Sequence, residues 1–386
     1  MSDLEARPEQ RRRAERPVAV VGRFPPPLDG QTLATARLAE LVAQARPVTT
    51  VSTSAPEGER LVSTEARWSW RRAAHYLGTG RRLRRALEAV PGAPVLWASI
   101  SPHPLGHARD VATTLPAFGR SRPVVAVVHR AYFDRMFSGV TAPTARRVVR
   151  RCAAVVFLTE SLAERAAPFV PASKRVVIPN TVGADVLCSN LEVEQARAER
   201  RSRPGLRLLF LGNLMPEKGY DLALETAARL AGRDVTLDLV GRWPSPHAEA
   251  AFAGRVAGLG LEGRVTAHGG VPHAAIKRFV LEADVLLFPS THPSEALPVA
   301  VLEALGAGTP VVGVRHAGLP EVVREGSGVL VPPDAAALAQ AVASLSPPDK
   351  WTAASRAARA RFEAAYAPDA VRDQWLALLD RVESRR

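Results

Sequence analysis

The run Ser294-Glu295-Ala296-Leu297-Pro298-Val299-Ala300-Val301-Leu302-Glu303 decides the reading of this chain. Two glutamates stand eight positions apart, the first in a polar loop and the second inside a short helical pattern. Upstream lies the strand-like Ala283-Asp284-Val285-Leu286-Leu287-Phe288 with its exit Pro289-Ser290. Downstream come the small-residue turn Gly306-Ala307-Gly308-Thr309-Pro310 and a second apolar run, Val311-Val312-Gly313-Val314. Strand, polar loop, helix and strand, in that order, place a binding site at the carboxyl edge of a sheet. With the helix starting near Leu297, the two carboxylates span at most about 12 Å along its direction, at about 1.5 Å per residue. Spacing alone fits two solvated glutamates equally well, with Glu303 merely favouring the helix.

The same alternation extends both ways. Toward the C-terminus, apolar runs at 206–211, 235–240, 264–267, 285–288, 311–314 and 329–331 read as strands. Helical patterns fill 221–231, 249–258, 274–281 and 297–305. Toward the N-terminus, strands are expected at 18–21, 48–51, 95–98, 124–128, 154–158 and 176–178, with helices at 32–45, 70–89, 142–151 and 161–167. Val- and Ile-rich strands without strict alternation suit a sheet covered on both faces. The architecture is α/β with mostly parallel sheets. The charged stretch 192–203 reads as a linker or a surface helix. A chain of 386 residues exceeds one hydrophobic core, so two domains are expected. We place a disordered lead at 1–16, domains at 17–185 and 186–365, and a last helix at 366–386 whose Trp375, Leu376, Leu378 and Leu379 dock it on a domain.

Composition narrows the function classes. No apolar run approaches the length of a membrane span, and the polar start with Arg11-Arg12-Arg13 lacks a signal-peptide core. A cytoplasmic protein is expected. Cys152 and Cys188 are too few and too far apart for a disulfide framework or a cysteine metal cluster. The net charge is +13, carried mostly by arginine. Arg67, Arg71-Arg72, Arg81-Arg82 and Arg84-Arg85 are interleaved with Trp68, Trp70, Tyr76, Leu77 and Leu83, and Arg146-Arg147 with Arg150-Arg151 form a second cluster. Such a surface suits an anionic membrane, on the inner face, or nucleic acid or an acidic acceptor. It equally suits a solvated face of an arginine-rich protein. No zinc finger or other nucleic-acid signature is present, which disfavours sequence-specific nucleic-acid binding.

Further candidate residues sit at strand exits. Pro25-Pro26-Pro27-Leu28-Asp29-Gly30 follows the first strand and precedes a helix, where glycine permits a tight turn and a helix N-terminus faces a phosphate. A plain surface loop reads the same way. His129 ends the apolar run 123–128, placed either to donate to a ligand or to bond at a sheet rim. His103 occupies a similar post. Leu209-Phe210-Leu211-Gly212-Asn213-Leu214-Met215-Pro216-Glu217-Lys218-Gly219-Tyr220 is a strand, a glycine turn and a lysine entering a helix. Lys218 could neutralise a diphosphate there, and the spacing is not that of a P-loop. His316-Ala317-Gly318-Leu319-Pro320-Glu321 again follows a strand.

Taken in order, these pieces resemble the retaining glycosyltransferases of the GT-B fold, in the large family four. The matched elements are Gly212 through Lys218-Gly219, the Pro289-Ser290 pair, Glu295 and Glu303 as a Glu-x7-Glu motif, the turn 304–310, and Gly318 to Glu321. The resemblance implies two Rossmann-like domains facing across a cleft, an N-terminal acceptor domain and a C-terminal domain for a nucleoside diphosphate sugar. The reach between the glutamates then suits the two ends of that donor. Glu295 would face the donor sugar, the amides of Ala296, Leu297 and Val299 its hydroxyls and diphosphate, and Glu303 the ribose. Lys218 would hold the diphosphate, with Asn213 beside it and Gly318 bordering it. His129 would stand over the donor sugar, Gly30 would approach the diphosphate or the acceptor, and the last helix would cross back onto the N-terminal domain.

The implied reaction moves a hexose-like sugar to a hydroxyl acceptor (glycan, glycolipid or small molecule) with retention, using no cofactor and no metal. The alternatives are a non-transferring sugar-nucleotide epimerase or hydrolase, and a catalytically weak sugar-nucleotide-binding assembly protein. The sequence also departs from the family pattern. Asn213 stands where the family often has an arginine, which shifts the charge burden to Lys218, amide dipoles or another arginine such as Arg242. Gly183 replaces an aspartate in the turn after Asn180-Thr181-Val182, and Pro298 removes one amide donor from the glutamate loop.

Overall fold

The computed structural model describes residues 16–26, 30–54, 70–98, 100–119, 121–324 and 326–385. The chain divides into two compact units, Met1–Pro179 with Val371–Arg386, and Asn180–Ala370. The first division therefore falls six residues before the expected boundary at 185, and the second falls inside the last helix rather than before it.

In the first unit the Val-rich runs form β1 (Val18–Gly22), β2 (Val48–Ser52), β3 (Val95–Trp97), β4 (Val124–Val128), β5 (Ala154–Phe157) and β6 (Arg175–Val177). They make one six-stranded sheet in the order β2-β1-β3-β4-β5-β6, with parallel pairing throughout. Every residue of β1 and of β4 is buried, as strands with helices over both faces must be. The helices are α1 (Gly30–Ala43), α2 (Trp70–Glu88), α3 (Pro104–Arg109), α4 (Leu115–Ala117), α5 (Ala142–Arg151) and α6 (Glu160–Arg165). A π turn, Asp110–Thr114, joins α3 to α4.

The second unit repeats the plan with β7 (Leu206–Leu211), β8 (Val235–Val240), β9 (Val265–Gly269), β10 (Val285–Phe288), β11 (Val311–Val314) and β12 (Gly328–Val331). Their order is β12-β11-β10-β7-β8-β9, again all parallel. Its helices are α7 (Asn190–Ser202), α8 (Tyr220–Arg229), α9 (Pro246–Gly258), α10 (Ile276–Glu282), α11 (Val299–Gly306), α12 (Leu319–Val322), α13 (Ala335–Leu345) and α14 (Pro348–Ala365). The charged stretch 192–203 is helix α7, not a linker. Ser189 and Glu192 close a capping box at its start, each side chain bonding the other's backbone amide. Arg197, buried within it, donates to Ser355 Oγ at 2.8 Å and to Ser355 O at 3.0 Å.

Asp284, just ahead of β10, is fully buried. Its carboxylate accepts from the Arg207 amide at 2.6 Å and from Arg203 at 2.7 Å, and it pairs with Arg200 at 2.6 Å. Its carbonyl accepts the Trp351 indole N–H at 2.7 Å. Burial pushes this carboxyl above its ordinary range, and the Arg207 amide, Arg203 and Arg200 pull it back. One aspartate thus fastens α7, β7 and α14 to the start of the strand whose far end carries Glu295.

Helix α15 (Pro368–Ser384) returns to the first unit. Its Val371, Trp375, Leu378, Leu379 and Val382 are buried in one apolar cluster with Leu38, Leu41 and Val42 of α1 and with Val18 and Val20 of β1. Arg46, its side chain out of contact with solvent, pairs with Glu383 at 2.6 Å. Cys152 and Cys188 are buried free thiols, and burial raises them to about 12 and about 11. No helix among the described residues is long and apolar enough to cross a membrane.

Candidate functional site

Sheet order picks out one place in the second unit. The chain leaves β7 toward β8 on one side and returns to β10 on the other, so the carboxyl ends of β7 and β10 border the point where strand order reverses. In open parallel sheets that crevice is where ligands bind. The loop after β7 carries Lys218, and the loop after β10 carries Ser290 and Glu295.

Backbone bonds zip the two loops together. The Thr291 amide donates to Glu217 O at 3.0 Å. Gly219 closes a single 3-10 turn, Pro216–Lys218, in the left-handed conformation at φ +82°. A Cβ at this position would lie 2.4 Å from Pro289 O. Gly219→Ala therefore meets both a φ penalty of about 1–2 kcal/mol and a backbone clash that parts the loops. We expect a lowered melting temperature and weaker ligand binding, read by calorimetry. A variant that matches the parent in both would show that the loops move apart at little cost. Gly241, at the end of β8, makes a comparable approach, since a Cβ there would lie 1.8 Å from Gly212 O.

Within this frame Lys218 Nζ pairs with Glu295 Oε1, which also accepts from Ser290 Oγ at 3.1 Å. Both side chains are largely buried, 24% exposed for the lysine and 12% for the glutamate. The loop continues through His292, whose Nδ1 accepts the Ser294 amide at 3.1 Å and whose carbonyl accepts from His316 Nε2 at 3.2 Å. His316 lies just past β11, so three strand exits share one bonded network.

Helix α11 begins at Val299 rather than near Leu297, because Pro298 takes the cap position. Pro298 provides no side-chain cap at that end, and the first amides of a helix have no partner inside it. Ala296 and Leu297 are buried, and Val299 is half-buried. At the other end Arg359 donates to the Gly306 carbonyl and, at 3.1 Å, to Cys188 O, which supplies the orphaned last turn and fixes the helix. Glu303, on the fifth residue of α11, is buried. Its Oε1 meets His273 Nε2 at 3.0 Å, and His273 Nδ1 meets Asp185 Oδ2 at 2.6 Å.

The structure therefore brings Lys218, Glu295 and Ser290 together and sets Glu303 in a second bonded group on the same unit. Asn213, two residues past β7, is exposed, with its carbonyl taking the Met215 amide at 2.8 Å. Gly318 is buried at the cap of α12. Arg242, at the exit of β8, accepts the Leu214 amide on its carbonyl at 2.9 Å. Its side chain runs past Gly270, where a Cβ would come within 2.7 Å of the arginine stem.

Two sequence candidates belong to the first unit. Gly30 opens α1 and is exposed. His129 is half-buried immediately after β4. Pro27, Leu28 and Asp29 lie outside the described residues, as do Arg67 and Trp68 and the side chains of 70–76. Sequence reasoning passed over His273 and Asp185. The signal was present, because His273 closes the polar exit Gly269-Gly270-Val271-Pro272-His273 after β9, the position that singled out His129.

The chain resembles known proteins in part of its sequence and in its fold. Residues 205–346 match the family model of the glycosyl transferases group 1. Over 201 residues the chain is 34% identical to the 2-deoxystreptamine glucosyltransferase of Streptomyces kanamyceticus, which is 49% of this chain and 50% of that protein. Over 262 residues it is 30% identical to the phosphatidyl-myo-inositol mannosyltransferase of Mycobacterium tuberculosis, covering 62% of this chain and 64% of that protein. The chain spans about half the length of the first of these relatives and under two thirds of the second. The crystal structure of Anabaena Alr3699/HepE in complex with UDP and glucose superposes with a TM-score of 0.70, over 94% of this chain and 99% of that one, at 17% identity. The fold, two parallel six-stranded α/β units, is that of the GT-B glycosyltransferases.

Proposed function

We propose that this chain is a retaining glycosyltransferase of family four that moves a hexose-like sugar from a nucleoside diphosphate sugar to a hydroxyl acceptor. The observation that carries the reading is the Lys218–Glu295 pair at the switch point of the second sheet, next to the start of α11. Without a donor the lysine is neutralised by the glutamate. An arriving diphosphate, with more charge than one carboxylate, takes the ammonium group, and Glu295 turns to the sugar hydroxyls. The amides around Ala296, Leu297 and Val299 face the same anion, and Glu303 takes the ribose hydroxyls. As the bond from the anomeric carbon to the diphosphate breaks, its electron pair leaves with the phosphate oxygen. Lys218 stabilises that growing charge. The acceptor oxygen bonds to the same face of the carbon and gives its proton to the departing phosphate. We propose His129 for the donor sugar and Gly30 for the diphosphate or the acceptor, with no metal taking part.

The match to the glycosyl transferases group 1 model and the solved neighbour in complex with UDP and glucose support a nucleotide donor and put uridine donors first in the trial. A thermal-shift screen of nucleotide sugars finds the donor, and proton NMR of the product with added acceptor reads the anomeric configuration. Product with the donor's configuration is expected. Inversion would overturn the retaining assignment. Rapid donor turnover without acceptor would favour an epimerase or hydrolase, and binding without turnover an assembly protein.

We further propose that the protein works on the inner membrane face, bound through its first unit to an anionic lipid surface. Arg81, Arg82, Arg84 and Arg85 of α2 are exposed with Leu77, which is 59% exposed. Arg146, Arg147 and Arg150 of α5 are exposed near Val140, which is 93% exposed. Cationic side chains around isolated apolar tips match a negative headgroup layer, at about 1 kcal/mol per residue near the surface. Flotation with phosphatidylglycerol vesicles at low salt should carry the protein, and salt should release it. Failure to float at low salt would remove this part of the reading.

A further inference from the structure

His273 is held by carboxylates at both ring nitrogens, Asp185 at 2.6 Å and Glu303 at 3.0 Å. Each ring nitrogen lies within hydrogen-bond reach of a carboxylate oxygen, so one ring bridges the two groups. The three groups come from separate parts of the second unit. Glu303 is on α11, and His273 begins the 3-10 turn His273–Ala275 between β9 and α10. Asp185 sits in the turn after Gly183, whose carbonyl accepts the Val186 amide at 3.1 Å and the Leu187 amide at 3.0 Å. That turn is tied to the body of the unit by Thr181, which donates to Tyr366 O at 2.6 Å.

Burial grades along the chain of groups. The Glu303 side chain is 3% exposed, His273 15% and Asp185 45%. A carboxyl group as deep as Glu303 needs a hydrogen-bonding partner, and the His273 ring supplies one. A carboxylate has about four acceptor positions on its two oxygens. The bond from His273 engages Oε1 and so restrains the group's orientation.

We propose that His273, itself set by Asp185, is the positioning residue that orients Glu303 toward the ribose hydroxyls of the nucleotide and so establishes the protein's preference for ribonucleotides. This rests on the donor-site reading given above, in which Glu303 takes the ribose. Glutamate side chains have several rotamers, and a diol is gripped only when the carboxylate plane is held still. Asp185 also supplies a carboxylate to the turn in which Gly183 offers none.

The test is isothermal titration of the whole chain with uridine, guanosine and adenosine diphosphates and with the 2′,3′-dideoxy counterpart of each. The parent should bind one ribonucleotide at least about tenfold more tightly than its dideoxy form, about one hydrogen-bonded pair's worth. His273→Ala should weaken the ribonucleotide about tenfold and leave the dideoxy form unchanged. His273→Gln, which keeps one donor, should recover part of the loss. Asp185→Asn should show the same selective loss in smaller measure, and because Asp185 is half-exposed that variant decides the matter if His273→Ala does not fold. Equal weakening of both nucleotides, or no weakening, would overturn the role of His273 while leaving the donor site in place. A parent that binds without ribose preference overturns the assignment of Glu303 and this inference with it. A parent that binds none of the diphosphates overturns the donor-site reading as a whole.

Discussion

Replacing Lys218 by alanine is expected to lower kcat/KM for sugar transfer by about two to three orders of magnitude, with most of the fall in kcat. The estimate follows from what one preorganised charge at a developing anion contributes, about 2.7–4 kcal/mol. The ammonium of Lys218 already sits at the switch point, paired with Glu295 and held by the turn that Gly219 closes. Asn213 brings no charge to the neighbouring position, which leaves more of the leaving group's charge to Lys218. Stability should fall as well, because Glu295, 12% exposed, loses its charge partner and keeps only the bond from Ser290 Oγ at 3.1 Å. Lys218→Arg should retain part of the rate, because the charge remains while its shape and reach differ. Initial rates at saturating and limiting donor separate the two constants. An alanine variant with unchanged kcat would remove Lys218 from the chemistry.

The second large effect is on folding. Asp284→Ala should destabilise the second unit by about 3–5 kcal/mol, the usual consequence of removing one partner from a buried ion pair. Arg200 and Arg203, 15% and 19% exposed, would be left facing each other across an empty space. The Arg207 amide would lose its acceptor as well. Asp284→Asn should cost less, since it keeps an oxygen for that amide but gives up the charge. Urea unfolding followed by tryptophan emission is a suitable measure, because the Trp351 indole bonds Asp284 O. A loss below about 1 kcal/mol would place this cluster with ordinary surface pairs.

Much of the architecture was legible because parallel strands buried on both faces leave uninterrupted Val and Leu runs, and each of the twelve strands expected from them is present with ends within about two residues. Other segments hid for identifiable reasons. Pro104–Arg109 contains a proline and a glycine and passes into a π turn, so no helical period stands out. Ala335–Leu345 is largely alanine, which marks helix by propensity but gives little apolar contrast. The stretch at 192–203 read as either a linker or a surface helix because its charges are numerous, and the capping box of Ser189 and Glu192 is what decides for the helix. At the site, motif order named Lys218, Glu295 and Glu303. Their pairings were not readable, since Lys218 and Glu295 are 77 positions apart and His273 and Glu303 are 30 apart. Only the crossing from β9 back to β10 beside β7 creates those neighbours.

The return of α15 to the first unit sets an order on biosynthesis. The segment made first cannot finish its interior until Trp375, Leu378 and Leu379 have been translated, and those residues follow the whole of Asn180–Ala370. At about 5–20 residues per second the wait on the ribosome is on the order of 10–40 s. For that time β1 and α1 lack one wall of their apolar cluster, while the segment made second holds all of its own sequence. The early-made half is therefore the late-finished one, and it is the half that nascent-chain chaperones have most reason to guard.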